Sequence, residues 1–336
     1  MSTELLLAAL VLAGAPVRAD DGATALLEEA LEPPATAYEG ELSVMTARGG
    51  RRETRHLLVR FSPPDLYRRE TLDALGTAEL VVVSDGKTEW VHDRRSGTVW
   101  QGLPPGREHG LSDPDEERAL LADNYAVRVL PDAAVAGRPC RVLEVAPRRG
   151  GPVVLRLWID AVEGLVLQRE AYEPDGTESL LVRFERVAYG AKGRAADFRF
   201  RPPAGARVVK SRPAPEALEL EEAAKATDMK PRLAAWVPPG YVFESVSLLP
   251  YKGATILHYR WSDGVDVLSL FQAPARARVR PPTGGRPRKE TVAGGPGALT
   301  VLPDGKALEW SAGDRFVLVG RLGLESLRRV AESVPR

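Results

Sequence analysis

Between residues 38 and 209 apolar and polar positions alternate with a period of two. Leu57, Val59 and Phe61 share one side of a segment whose other side carries His56, Leu58 and Arg60. Leu155, Leu157 and Ile159 oppose Arg156, Trp158 and Asp160 in the same way, and Leu180, Val182 and Phe184 oppose Leu181, Arg183 and Glu185. One apolar and one mixed face per strand is what an antiparallel sheet wetted on one side requires. Strands are predicted over 38–44, 54–61, 66–72, 79–83, 88–92, 125–130, 141–146, 153–159, 165–171 and 180–187, all rich in Val, Leu and aromatic residues. Turns such as Ser84-Asp85-Gly86-Lys87 and Pro174-Asp175-Gly176-Thr177 offer residues that tolerate positive φ and join neighbouring strands. Long crossovers are missing, which argues against a parallel, doubly wound sheet. Two short helices interrupt the pattern. One covers 24–31, capped by Thr24 and stopped by Pro33-Pro34; the other covers 113–123, with Asp113 as cap and three acids at the positive end of its dipole.

The alternation breaks at Pro202-Pro203 and at Arg212-Pro213-Ala214-Pro215. Residues 211–230 read as an interdomain linker with an acidic, helix-prone stretch. A second unit starts at Pro231, with strands over 241–248, 254–260, 266–272, 298–302, 306–311 and 315–320 and a tight turn at Ser262-Asp263-Gly264. A closing helix over 322–334 places Leu324, Leu327, Val330, Ala331 and Val334 on one face. Residues 276–289 hold six basic residues, three prolines and no acid, and read as a loop.

Two units fit 336 residues. Forty-six basic residues balance 46 acidic ones, so no global field recruits nucleic acid. The single Cys140 excludes an intramolecular disulfide and a cysteine-cluster zinc site. No HExxH, GxSxG, GxGxxG or Walker pattern occurs, and no nucleophile–base pair is nominated. Asp113, Asp115, Glu116 and Glu117 suit a helix N-terminus better than a carboxylate pair, and His258 and Cys140 read as packed side chains. A non-enzymatic protein without cofactor or metal is expected. The apolar run 5–13 is too short to span a bilayer. With Val17-Arg18-Ala19 after it, it reads as a signal peptide, residues 1–19, cleaved after Ala19, although Met1-Ser2-Thr3-Glu4 lacks the usual positive charge. The mature protein is expected in the periplasm, soluble and without a transmembrane segment.

Two stretches resemble a known family. Gly137-Arg138-Pro139-Cys140, then Leu155-Arg156-Leu157-Trp158-Ile159-Asp160, Gly164-Leu165-Val166-Leu167, Asp175-Gly176 and Phe184, resemble the LolA-like fold of lipoprotein carriers and the MucB/RseB regulators. Trp236-Val237-Pro238-Pro239-Gly240-Tyr241, His258-Tyr259-Arg260-Trp261-Ser262-Asp263-Gly264 and Leu268-Ser269-Leu270-Phe271 resemble the carboxy-terminal domain of MucB/RseB. The resemblance implies an α+β protein: an antiparallel LolA-like half-barrel over 20–210, of about ten strands with short helices on the concave side, and a smaller α+β domain over 231–336. It also implies an envelope-stress regulator that binds the periplasmic part of a membrane anti-sigma factor and senses lipid or lipoprotein. The alternative is a lipid or lipoprotein carrier without a signalling role.

The residues nominated for lipid are Leu57, Val59, Phe61, Leu155, Leu157, Leu180, Val182 and Phe184. Those nominated for the partner are Trp236, Tyr259, Trp261, Asp263, Arg278 and Arg280. An empty apolar cavity costs about 24 cal/mol per Å3. An acyl chain returns about 0.8 kcal/mol per buried CH2, so binding is favourable if the trough is hollow. A trough filled by side chains would show the same periodicity.

Overall fold

The computed structural model describes residues 21–32, 34–48, 51–104, 114–190, 193–210, 217–227, 229–251, 254–277, 287–302 and 305–335. The expected signal peptide, the Asp113 cap, and Arg278 and Arg280 lie outside the described residues.

The first sheet is built from β1 (Tyr38–Arg48), β2 (Arg51–Ser62), β3 (Leu66–Leu72), β4 (Ala78–Asp85), β5 (Glu89–Asp93) and β6 (Thr98–Gly102). It continues with β7 (Tyr125–Val135), β8 (Arg138–Pro147), β9 (Leu155–Asp160), β10 (Val166–Tyr172), β11 (Glu178–Tyr189) and β12 (Arg207–Lys210). Helix α1 (Asp21–Leu31) precedes it and α2 (Pro114–Asn124) joins β6 to β7. The strand order is β12-β6-β5-β4-β3-β2-β1-β11-β10-β9-β8-β7, an open half-barrel whose two end strands do not pair. Two of its strands, β6 and β12, are not among those expected. The short β12 pairs with β6 in parallel, from Arg207 opposite Thr98 to Lys210 opposite Gln101.

The second sheet holds β13 (Ala217–Leu218), β14 (Val242–Tyr251), β15 (Ala254–Ser262), β16 (Val267–Ala273), β17 (Arg288–Val292), β18 (Gly295–Leu302), β19 (Gly305–Ala312) and β20 (Asp314–Gly320). Their order is β13-β14-β15-β16-β20-β19-β18-β17. Helix α3 (Leu220–Lys225) follows β13, and α4 (Leu324–Ser333) ends the fold. The segment expected as linker therefore supplies an edge strand and a helix to the second sheet: Leu218 pairs with Val246, and Ala223 is fully buried in that sheet's core. Residues 288–289, expected in a loop, begin β17. The strand reads Arg-Lys-Glu-Thr-Val and hides its single apolar residue, Val292, at the far end, so period-two apolar alternation is missing.

Helix α4 turns Leu327, Val330 and Ala331 inward because they recur at helical spacing. They complete one cluster with Leu257, Tyr259, Trp261, Leu268, Leu270, Leu308, Trp310, Phe316 and Leu318. The first sheet is cored differently. Ala23 and Leu27 of α1 and Leu121 of α2 cover Leu143, Val145, Leu155, Leu157 and Ile159. A separate cluster joins Val59 and Phe184 to Val135, Cys140, Leu165 and Leu167.

Candidate functional site: the inner face and the interdomain seam

Register decides which side chains share a face. In the first sheet Leu157 stands opposite Arg169, Arg169 opposite Val182, and Val182 opposite Val44. Leu155 stands opposite Ala171 and Ala171 opposite Leu180. Further along, Phe184 pairs with Leu42, Leu42 with Leu57, Gly40 with Val59 and Tyr38 with Phe61. Directly paired residues point the same way. All eight nominated apolar residues therefore lie on the face that α1 and α2 pack against, the inner face.

Their surroundings differ along that face. Leu155 and Leu157 are buried under the helices. Val59 and Phe184 are buried in the second cluster, with Tyr38 between Phe61 and Phe184 at ring-centroid distances of 5.4 and 6.0 Å. Leu57, Leu180 and Val182 are only half-buried. The partly open stretch runs on towards the end strand through Val82, Val91 and Trp100, which pair in sequence across β4, β5 and β6. Trp100 keeps 37% of its surface exposed.

On the opposite, outer face β8 to β10 carry a polar patch, whereas β4 to β6 bury Val81, Val83 and Val99 there, with Trp90 and His92 beside Phe200. Glu144, 3% exposed, accepts hydrogen bonds from Arg128 and Arg156. Arg156 Nη1 donates to the Tyr172 hydroxyl at 3.3 Å, and Gln168 Nε2 donates to Glu170 at 2.8 Å. A groove of about 590 Å3 is lined by Glu39, Glu41, Leu58, Arg60, Arg68, Glu70 and Arg186 among others, and of the eight nominated residues only Val59 borders it. Its charges answer one another: Arg60 meets Glu39 at 3.4 Å and Arg186 meets Glu41 at 2.6 Å.

A third conspicuous region is the seam between the two sheets. Asn124, the last residue of α2, donates from Nδ2 to the carbonyls of Gly240 at 2.9 Å and Asp263 at 3.0 Å, and its Oδ1 accepts from Arg149 at 2.7 Å. Tyr125 donates its hydroxyl to Asp263 Oδ2 at 2.6 Å. Burial, then the nearby Asp263 charge, pushes the Tyr125 hydroxyl far above its ordinary range, so it stays a donor. Arg321 reaches Asp266 at 3.1 Å and the Tyr172 carbonyl at 2.9 Å, while Lys306 meets Glu173 at 3.4 Å. Asp266 titrates above the usual carboxylate range because it is buried; Arg321 opposes that rise and Asp263 adds to it.

The nominated partner residues fall in three environments. Tyr259 and Trp261 are 0% and 3% exposed in the core of the second sheet. The Tyr259 hydroxyl donates to Gln272 Oε1 at 2.7 Å and accepts from the Arg232 backbone at 3.0 Å. Neither side chain offers a surface to a second protein while the core is closed. The signal was in the alternation: Leu257, Tyr259 and Trp261 share one side of β15, and His258 and Arg260 the other. Asp263 belongs to the seam. Trp236 is half-buried beneath the Arg329 guanidinium, 4.0 Å above its ring. Of the seam residues, Asn124 and Arg321 were not singled out in sequence, while Gly240 and Gly264 stood only within the stretches that carry the resemblance, Gly264 also in a tight turn. Among the described residues, no three His, Cys, Asp or Glu side chains gather as metal ligands. No described helix is long and apolar enough to cross a membrane.

The fold, an open half-barrel followed by a smaller sheet domain, is shared with a known class of structures. Residues 45–203 match the family described as the MucB/RseB N-terminal domain, and the chain is MucB/RseB-like. Its fold resembles the crystal structure of MucB in complex with MucA(peri), with a TM-score of 0.55 and 21% identity, covering 93% of this chain and 98% of that one. The complex structure of Pseudomonas aeruginosa MucA/MucB gives a TM-score of 0.59 at 20% identity, covering 94% and 98%. An uncharacterised protein of Methanocaldococcus jannaschii is 22% identical over 196 residues, 58% of this chain. The chain spans about half the length of that curated relative, 55%.

Proposed function

We propose that this protein is a non-enzymatic, exported regulator that binds the periplasmic segment of a membrane anti-sigma factor in the bacterial envelope. The observation that carries the reading is the likeness, over both domains, to MucB as seen with MucA(peri). Partner contact falls to the second domain and to the seam, where residues of both domains meet. The reading is tested by passing a purified anti-sigma periplasmic segment over the immobilised full chain. Saturable retention is expected; no retention by a folded chain overturns it.

The sensing half of the proposal is that acyl chains occupy the half-buried part of the inner face around Leu57, Val182 and Trp100. The support is the run of partly exposed apolar side chains there, beside a region of the same face already filled by α1 and α2. A carrier role without signalling draws on the same observation. Lipoprotein transfer between membrane fractions, with no anti-sigma segment bound, separates the two.

A further inference from the structure

The C-terminal end of α2 and the start of β7 touch both domains at once. Leu121 and Tyr125 pack in the first sheet's helix-covered cluster with Leu155 and Leu157. Leu121 also fits against the second domain so closely that a Cβ on Gly264 would come within 2.7 Å of its backbone nitrogen. Gly264 holds φ at +93°, where a side chain is strained in any case. Gly240 is a second such point: at φ +103°, its Cβ would meet Asn124 Oδ1 at 2.6 Å. Between these two glycines Asn124 ties the carbonyls of Gly240 and Asp263 to α2. Val265, the residue after Gly264, reaches across and packs on the first sheet's cluster.

We infer that the α2–β7 junction is a latch: lifting α2 from the inner face undocks the second domain, and undocking the second domain loosens α2. The two events share Leu121, Asn124 and Tyr125, so neither position can move without the other. Coupling between them is reciprocal by thermodynamic linkage. The regulatory consequence rests on the reading proposed above: an apolar guest wedged beneath α2 would separate the domains that hold the partner. The latch itself needs neither guest nor partner.

The test uses the full chain. Spin labels at Val162→Cys and Glu325→Cys, both exposed and on different domains, report the interdomain distance, and amide exchange at Leu121 reports α2. Gly264→Val alters only the second domain. It is expected to broaden the distance distribution and to speed Leu121 exchange at least tenfold. In the opposite direction Leu155→Ala, buried in the first domain, is expected to broaden the same distribution. Asn124→Ala, which removes two cross-domain hydrogen bonds without touching either core, replaces Gly264→Val should that variant not fold. Undocked domains with Leu121 exchange unchanged overturn the latch, as does a distance distribution that stays narrow in these variants. Failure of anti-sigma binding would remove the regulatory reading and leave these results standing.

Discussion

The second sheet is covered and the first is not, or not throughout. Eighteen buried residues form the main cluster between the second sheet and its helices, with two satellites of three residues each beside it. The first sheet, although longer, has main clusters of only ten and six buried residues and leaves Leu57, Val182, Val91 and Trp100 partly open on its inner face. A single closed core serves stability. A face with one end covered by helices and the other partly open retains apolar surface that water must cover, and the proposed sensing role rests on that surface. The outer face around β8 differs again, since the buried Glu144 holds its charge between the partly exposed Arg128 and Arg156.

The largest expected effect is on the closed side. Leu270→Ala removes a fully buried side chain and should cost about 2–5 kcal/mol in urea unfolding, whereas Leu57→Ala on the open face should cost less than about 1 kcal/mol. Equal losses would erase the distinction between the two faces.

Next is Asp160, the last residue of β9. Burial alone would raise its carboxyl. Hydrogen bonds from Arg138, from the Val162 and Glu163 backbone and from Tyr189 outweigh burial and hold it at about 2. A carboxyl depressed in the folded state stabilises at pH above its unfolded value, and that stability is lost as pH falls through the folded value. Asp160→Asn should therefore cost on the order of 2 kcal/mol at pH 7, with wild type and variant converging between about pH 4 and pH 2, as acid titrations followed by circular dichroism would show.

An effect confined to pH below 7 is expected at His258, which stacks on Phe271 at 4.3 Å and meets Ser269 Oγ at 3.0 Å. Burial first, and then Arg260, lower its titration to about 4. It is neutral in the folded protein, so its contribution is full above pH 6.5 and declines as pH drops towards 4. His258→Gln should flatten that part of the stability–pH curve; a wild-type slope in the variant would show that another group carries it.

Much of this architecture was legible in the residues. The alternation at Leu57–Phe61, Leu155–Ile159 and Leu180–Phe184 set nine side chains on the apolar sides of their strands, and the register puts the eight nominated for lipid on one face. What alternation could not say is what lies above them, because a side chain capped by α1 and one left open have the same period. Arg207–Lys210 escaped notice because four residues hardly display a period, and Thr98–Gly102, no shorter than the strand expected over 88–92, sets Val99 and Trp100 side by side instead of alternating. Tyr259 and Trp261 were nominated for a partner on the strength of a motif, yet their spacing from Leu257 already assigned them to the core. The seam was invisible for another reason: Asn124, Gly240 and Gly264 lie far apart in the chain, and only the fold brings them together.

The contrast between a closed and an open face is tested most directly by a brominated acyl chain, which quenches tryptophan on contact. In variants that keep either Trp100 or Trp310 as the only tryptophan, titration with a bromo-fatty acid below its micelle concentration should quench Trp100 on the open inner face and spare Trp310 in the closed core. Quenching of Trp310 to the same degree, or none at Trp100, would contradict the account.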